Sequence, residues 1–243
     1  RDSNISRLEE TVEAFQNVLL EYTRERSPSD WAMAQSNLGN VLLTLSERDS
    51  GIERIDDAIK AYREALLERN RDSAPMEWAA TQSNLGNALA ALGQRKRSTA
   101  ELEQAVNAYR NALLEWRHER VPLDWAMAQH NLGGALLKLG ELEKDVSKLE
   151  QAIEGFNLAL LERTRERVPL DWANTMMNLA SALALIGWQQ GEVSPLDEAI
   201  AIYNDVLVLF EQSAPAYAEA ARYNLEGFVT QRSRMMAGGG DAV

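Results

Sequence analysis

A tetrapeptide of the form Pro-x-acidic-Trp recurs along the chain at a spacing of 47 residues, and it restricts the fold more than any other sequence feature. Its copies begin at Pro28, Pro75, Pro122 and Pro169. Each copy is followed by an Asn-Leu-small sequence that begins at Asn37, Asn84, Asn131 and Asn178, and a degenerate fifth version begins at Asn224. A period in this range indicates an array of supersecondary units that stack to bury a continuous core.

Each unit contains two helical patterns. In the first, Trp31, Leu38 and Leu42 fall on one stripe of an α-helix, and Pro28 suits a first turn in which an N–H is unpaired anyway. A second apolar stripe follows Gly51, which separates the two patterns. Counted along the chain, these patterns predict about ten helices, of which the first is the second helix of a truncated unit.

We expect one solenoid domain over residues 1–236, because a single helical hairpin cannot bury its own apolar face. The predicted divisions are a partial unit (6–27), four full units (28–74, 75–121, 122–168 and 169–214), a closing helix (215–236) and a flexible tail (237–243).

The repeat resembles the tetratricopeptide repeat family over nearly the whole chain. The Leu-Gly pair of the first helix is followed in the second helix by a small residue (Ala58, Ala105, Ala152 and Ala199) and, four positions later, by an aromatic residue (Tyr62, Tyr109, Phe156 and Tyr203). The period exceeds the family's usual value of about 34 residues, which places the chain nearer the kinesin-light-chain type. The resemblance implies an all-α, right-handed α-solenoid of antiparallel helical hairpins that binds a protein or peptide in its concave groove.

Composition argues against several other functions. The formal charge of -12, without a segregated basic surface, disfavours nucleic acid, and the absence of cysteine excludes disulfides and thiolate chemistry. The sequence shows no recognisable metal or nucleotide motif and no acid–base pair that stands out. No apolar run is long enough to cross a membrane, and there is no signal peptide. We therefore expect a cytoplasmic protein that is not an enzyme and needs no cofactor.

The repeated Asn lies on the first helix about 100° from the Trp–Leu stripe, so core packing does not explain it. The resemblance implies that it faces the concave surface and grips a bound peptide, because an amide can both donate and accept a hydrogen bond. The alternative is that each Asn bonds a neighbouring repeat and fixes the stacking. The predicted groove comprises Asn37, Asn84, Asn131 and Asn178 with their neighbours Met33, Ser36, Asn40, Ser83, Asn87, Met127, His130, Lys138, Asn174 and Met177.

The Gly row and the Trp row have structural interpretations. Gly39, Gly86 and Gly133 let the two helices of a hairpin approach closely, and the Trp side chains are expected in the core. The helix predicted at the start of the chain, in the partial unit, has an apolar stripe that begins at Leu8 and that no preceding helix covers. This exposed stripe predicts end-to-end self-association through that helix.

Two function hypotheses remain open. The first is a protein-interaction scaffold within a larger multidomain protein, an expectation that also rests on the start of the chain at Arg1 without Met. The alternative is a structural or sensor array that packs against its own effector domain or self-assembles, with no separate peptide ligand.

Overall fold

The computed structural model describes residues 3–48 and 51–238, and these form ten α-helices and no strand. The all-α prediction and the predicted number of helices are confirmed. The helices are α1 (Ser3–Glu21), α2 (Pro28–Ser46), α3 (Glu53–Ala65), α4 (Pro75–Lys96), α5 (Thr99–Ala112), α6 (Pro122–Glu143), α7 (Val146–Leu160), α8 (Pro169–Gln190), α9 (Ser194–Ser213) and α10 (Pro215–Gly238).

Proline marks the start of α2, α4, α6 and α8, as the recurring tetrapeptide predicts, and also the start of α10, which lacks the tetrapeptide. In four of these helices an acidic side chain in the first turn complements the positive end of the helix dipole. We call residues 28–74, 75–121, 122–168 and 169–214 repeats 1 to 4. The helix that starts with proline is the first helix of each repeat.

The two helices of a repeat are antiparallel and closely packed. In repeat 2, Gly86 lies against the ring of Tyr109, while Gly93, two turns further along α4, lies against Leu102 near the start of α5. A Cβ on Gly86 would be 2.7 Å from Tyr109 Cε1, so the aromatic ring occupies the space that the missing side chain leaves. The prediction that the Gly row permits close helix approach is confirmed.

The chain divides into two compact bodies, residues 1–121 and 122–243, and the division coincides with the predicted boundary between repeats 2 and 3. In the N-terminal body α1 to α5 pack on one another in chain order, and in the C-terminal body α6 to α10 do the same. A single solenoid over 1–236 stays a prediction. The closing helix α10 extends to Gly238, so the predicted tail is shorter at its start, and residues 239–243 lie outside the described part.

The aromatic residues of the second helices form the centre of both bodies. Tyr62 and Tyr109 in the N-terminal body, and Phe156 and Tyr203 in the C-terminal body, are at most 2% exposed. The Trp row is less buried than predicted: Trp31 is 9% exposed, whereas its counterparts in repeats 2 to 4 are half-buried. An arginine covers the ring in three of the four cases.

These arginines were not anticipated from the sequence. The guanidinium carbons of Arg24, Arg71 and Arg165 lie 5.8, 6.0 and 5.3 Å from the ring centroids of Trp31, Trp78 and Trp172. Each arginine also pairs with a carboxylate on or after the following second helix, namely Glu68 at 2.5 Å, Glu115 at 2.6 Å and Asp205 at 2.9 Å. The Trp row is therefore a platform for ion pairs at the edge of the repeats, as well as part of the core.

Candidate functional site

All of the residues predicted to form the groove lie on first helices, but their side chains have three different environments. Met33, Asn40 and Asn174 are exposed. Asn37, Asn84, Asn87, Met127, Asn131, Lys138, Met177 and Asn178 are partly exposed. Ser36, Ser83 and His130 are buried, with 4%, 0% and 8% exposure.

Burial of Ser36, Ser83 and His130 corrects their assignment to the groove. These three residues occupy equivalent positions, one residue before the repeated Asn, and a step of 100° around the helix turns them into the interior. They cannot contact a ligand at the surface in this conformation. We therefore leave them out of the candidate site.

His130 belongs to a buried polar cluster inside the C-terminal body. Its Nδ1 lies 3.0 Å from Thr175 Oγ1, and its ring lies 5.7 Å from the ring of Phe156. Arg163 Nη1 donates to the same Thr175 hydroxyl at 3.3 Å. Burial and the charge of Arg163 lower the pKa of His130 to about 3, so the imidazole is neutral at physiological pH. The cluster ties α6 to α8.

We call the repeated Asn, together with the Asn that follows it three residues later in repeats 1 and 2, the amide row, and this row forms hydrogen bonds within the N-terminal body. Asn84 Nδ2 donates to Asn40 Oδ1 at 3.0 Å, and Tyr62 Oη donates to the same oxygen at 2.8 Å. Tyr109 Oη makes the equivalent bond to Asn87 Oδ1, also at 2.8 Å. The bond between Asn84 and Asn40 joins repeat 2 to repeat 1, so at this position the amide fixes the stacking.

In the C-terminal body the same row is interrupted. Repeat 3 has Gly134 where repeats 1 and 2 have Asn40 and Asn87, and Phe156 where they have tyrosine. In repeat 4 the tyrosine returns, and Asn224 Nδ2 lies 3.4 Å from Tyr203 Oη. The bonded pair of Asn and Tyr is therefore absent as a whole from repeat 3.

Two of the cavities in the C-terminal body lie along the first helices and together extend over most of the length of α8. One, of about 300 Å³, is lined by Asn174 and Met177 of α8, Phe210 of α9 and Tyr217 of α10. The other, of about 200 Å³, is lined by Lys138 of α6, Ser181 and Trp188 of α8 and Asn224 of α10, among others. Since α8 and α10 line both, we call the surface that joins them the α8–α10 groove. It combines amides, hydroxyls and aromatic rings, as binding clefts commonly do.

Trp188 is the main residue of this surface that the sequence analysis missed. Its side chain is 42% exposed, and it stacks edge-on against Phe228 of α10, with 6.3 Å between the ring centroids. The equivalent positions in repeats 1 to 3 are Glu47, Gln94 and Glu141. A large aromatic residue that replaces a polar residue at one repeat is the signal that would have identified it.

One pair of opposite charges lines the 200 Å³ cavity of the groove. Lys138 Nζ lies 2.9 Å from Glu141 Oε2, on the adjacent turn of α6.

Among the described residues no three His, Cys, Asp or Glu side chains are grouped so that they could hold a metal ion. Within residues 3–48 and 51–238, no helix has both the length and the apolar character that crossing a membrane requires.

Comparison with known proteins relates the chain to a repeat family. The model of the tetratricopeptide repeat matches residues 78–114, which span most of the hairpin of α4 and α5. Among solved structures, the chain is similar to the crystal structure of BtubC (BKLC) from P. vanneervenii, with 18% identity, a TM-score of 0.45, and coverage of 98% of this chain and 92% of that chain. A search of the curated proteins found no match.

Proposed function

We propose that this chain, an array of tetratricopeptide-type repeats, is an interaction scaffold that binds an extended peptide segment of a partner protein in the α8–α10 groove. Repeats of this family are generally binding modules rather than enzymes, and the proposal involves no catalytic step. The observation that carries it is that two cavities share the surface between the same two helices and are lined by amide, hydroxyl and aromatic side chains.

The dimensions of the groove suit a short extended peptide. Asn174 and Trp188 stand about four turns apart on α8, which corresponds to about 21 Å at the α-helical rise. An extended chain of about six or seven residues covers that distance. The peptide would meet Asn174, Met177 and Tyr217 at one end and Trp188 at the other.

The groove also offers the two kinds of contact that a peptide needs. Trp188 and Tyr217, at 42% and 59% exposure, present ring surface that a partner's apolar side chain would cover. Asn174 is exposed on the same helix and has an amide that can pair with a main-chain peptide unit. Aromatic anchors next to polar groups are typical of the centre of protein interfaces.

A peptide-display experiment tests the proposal. A library of random dodecapeptides would be selected against the chain, and the affinities of the recovered peptides would be measured by fluorescence anisotropy. We expect Trp188→Ala and Asn174→Ala each to weaken binding by about tenfold or more, because each removes the main contact at one end of the groove. The matched control is Leu161→Ala, which removes another exposed apolar side chain of the C-terminal body, outside both cavities. Equal affinity in all three variants would contradict the proposed site.

One observation favours the alternative function for the N-terminal body. The amide of Asn84 is used in a bond to the preceding repeat, which is what a purely structural array requires. If Asn84→Ala lowers the stability and leaves peptide binding unchanged, the amide row of repeats 1 and 2 is structural, and ligand binding belongs to the C-terminal body.

A further inference from the structure

Repeats 1 and 2 show which groups are missing from repeat 3. Asn40 Oδ1 is a double acceptor, since it receives hydrogen bonds from Tyr62 and from Asn84 of the next repeat. Two repeats further along the chain, the residues that correspond to Asn40, Tyr62 and Asn84 are Gly134, Phe156 and Asn178. Repeat 3 therefore lacks the acceptor oxygen and one of its two donors, but repeat 4 keeps the other donor, the amide of Asn178.

The side chain of Asn178 has no hydrogen bond with any of the described residues. The offset from Gly134 to Asn178 is 44 residues, the same as the offset from Asn40 to Asn84 that joins the bonded pair. The repeat relation therefore places the amide of Asn178 over the position of the missing side chain. We call Gly134, Phe156 and Asn178 together the repeat 3 gap.

The repeat 3 gap has room for a side chain and is open to solvent. A Cβ built on Gly134 meets no atom within 4 Å, whereas one built on the adjacent Gly133 would be 2.8 Å from Phe156 Cε1. Gly134 and Asn178 are both partly exposed. One turn further along the same helices lie Lys138 and Ser181, which line the 200 Å³ cavity of the α8–α10 groove. The gap thus continues that groove toward the start of α6.

The chemistry of the gap favours a neutral acceptor. In repeat 1 the equivalent space holds a carboxamide whose oxygen accepts from the neighbouring amide. The cation that lines the adjoining cavity, Lys138, is paired with Glu141, and the whole chain carries a formal charge of -12, so a carboxylate would gain little attraction here. Transfer of a carboxylate from water into the partly shielded gap costs more than transfer of a neutral carboxamide.

We infer that the repeat 3 gap is a specificity pocket for the side-chain carboxamide of a Gln or Asn in the bound peptide. The ligand oxygen accepts from Asn178 Nδ2 in the way that Asn40 Oδ1 accepts from Asn84. A side chain suits the gap better than a main-chain peptide unit, because the space is that of one missing side chain on Gly134. This inference rests on the proposed function, which it deepens by naming one group of the ligand.

A small-molecule titration examines the gap without any peptide. Propionamide, which reproduces the end of a Gln side chain, is added while the ¹H–¹⁵N signals of the Asn178 side-chain amide are followed by NMR, with assignment by their loss in Asn178→Ala. We expect saturable shifts with propionamide, much smaller shifts with propionate, and none with propionamide in Gly134→Asn, in which an internal carboxamide fills the space. Equal responses to propionamide and propionate, or to propionamide in both proteins, would overturn the inference.

The display library supplies the second arm. Peptides selected by the unmodified chain should share a Gln or Asn at one position, and changing it to Glu or Ala should weaken binding by about three- to tenfold, the net value of one hydrogen bond. Gly134→Asn should lose this preference, whereas Gly134→Ala should keep it, because a methyl group leaves Asn178 without an acceptor.

The outcomes separate the two ideas. Peptides that bind in the groove without a carboxamide preference overturn the specificity pocket and leave the scaffold function intact. The same conclusion follows if Gly134→Asn blocks binding whatever the peptide sequence, since that result indicates a main-chain contact. If no peptide is recovered at all, the proposed function fails, and the propionamide titration alone decides whether the gap recognises a carboxamide.

Discussion

Gly133 and Gly134 are neighbours in α6, and a methyl group should stabilise the chain at Gly134 but not at Gly133. A Cβ on Gly133 would lie 2.8 Å from Phe156 Cε1 and 3.0 Å from the carbonyl oxygen of Ala152. The second of these atoms belongs to the backbone of α7, so it cannot move without displacing the helix. A Cβ on Gly134 would meet no atom within 4 Å.

The magnitudes follow from two effects. Replacing Gly by Ala inside a helix stabilises it by about 1 kcal/mol, and this gain applies to both positions. At Gly133 the overpacking against Phe156, which is fully buried, opposes the gain with a cost of about 1–3 kcal/mol. We therefore expect Gly134→Ala to raise the stability by about 1 kcal/mol and to exceed that of Gly133→Ala by about 1–3 kcal/mol.

The measurement is urea denaturation followed by far-UV circular dichroism, together with hydrogen exchange of α6 and α7. The exchange data are needed because repeat arrays do not always unfold in a single step, so the loss must be located in the hairpin that carries the substitution. A gain of about 1 kcal/mol corresponds to a rise of about 2–4 °C in Tm for a chain of this size. If Gly133→Ala proves as stable as Gly134→Ala, the helices of repeat 3 are not packed as closely as the structure shows, and the argument for an open repeat 3 gap fails with it.

Two further predictions concern buried polar groups. Ser83→Ala should stabilise the chain by about 1 kcal/mol, because the Ser83 hydroxyl is buried without a hydrogen-bond partner. Ser46→Ala should destabilise the chain, because it removes a hydroxyl that is bonded to the Leu43 carbonyl. Thermal denaturation of both variants tests whether the two changes in stability have opposite signs. The folded state holds the pKa of His130 near 3, below the unfolded value of about 6.5, so the stability that comes from the neutral imidazole is present above pH 6.5. As the pH is lowered to 5, the free energy of unfolding should fall by about 2 kcal/mol, because the unfolded chain binds a proton that the folded chain does not. His130→Gln should flatten this part of the stability–pH profile, and a profile that His130→Gln leaves unchanged would contradict the buried, neutral assignment.

The helical repeat could be predicted because the information for it is local. Pro28 and its counterparts mark helix starts through the geometry of a single residue, and the apolar period identifies each helix from its own sequence. Gly39 could be assigned to the close approach of two helices because Gly recurs at the same position in successive repeats, whereas the contact of Gly39 with the ring of Tyr62 is seen only in the structure. Because the same helical hairpin occurs several times in one chain, each structural role could be checked against its counterparts in the other repeats.

The candidate site could be predicted only in part, because exposure on a first helix depends on what packs beside it. Ser83 and Asn84 are adjacent, yet one is buried and the other reaches Asn40 of the preceding repeat. A helical wheel describes one helix alone, so it does not show which of its residues a neighbouring helix will bury. Trp188 likewise becomes part of a groove only because α10 packs on α9 and brings Phe228 to its ring.

From the sequence alone, the chain's division into helical hairpins is determined, because proline, glycine and apolar spacing act within one hairpin. Which polar residues hold the repeats together, and which remain available to a ligand, depends on contacts between residues more than forty positions apart. The amide row illustrates the distinction. Its members look alike in the sequence, but the side chain of Asn84 is bonded to Asn40, whereas that of Asn178 is unpaired among the described residues.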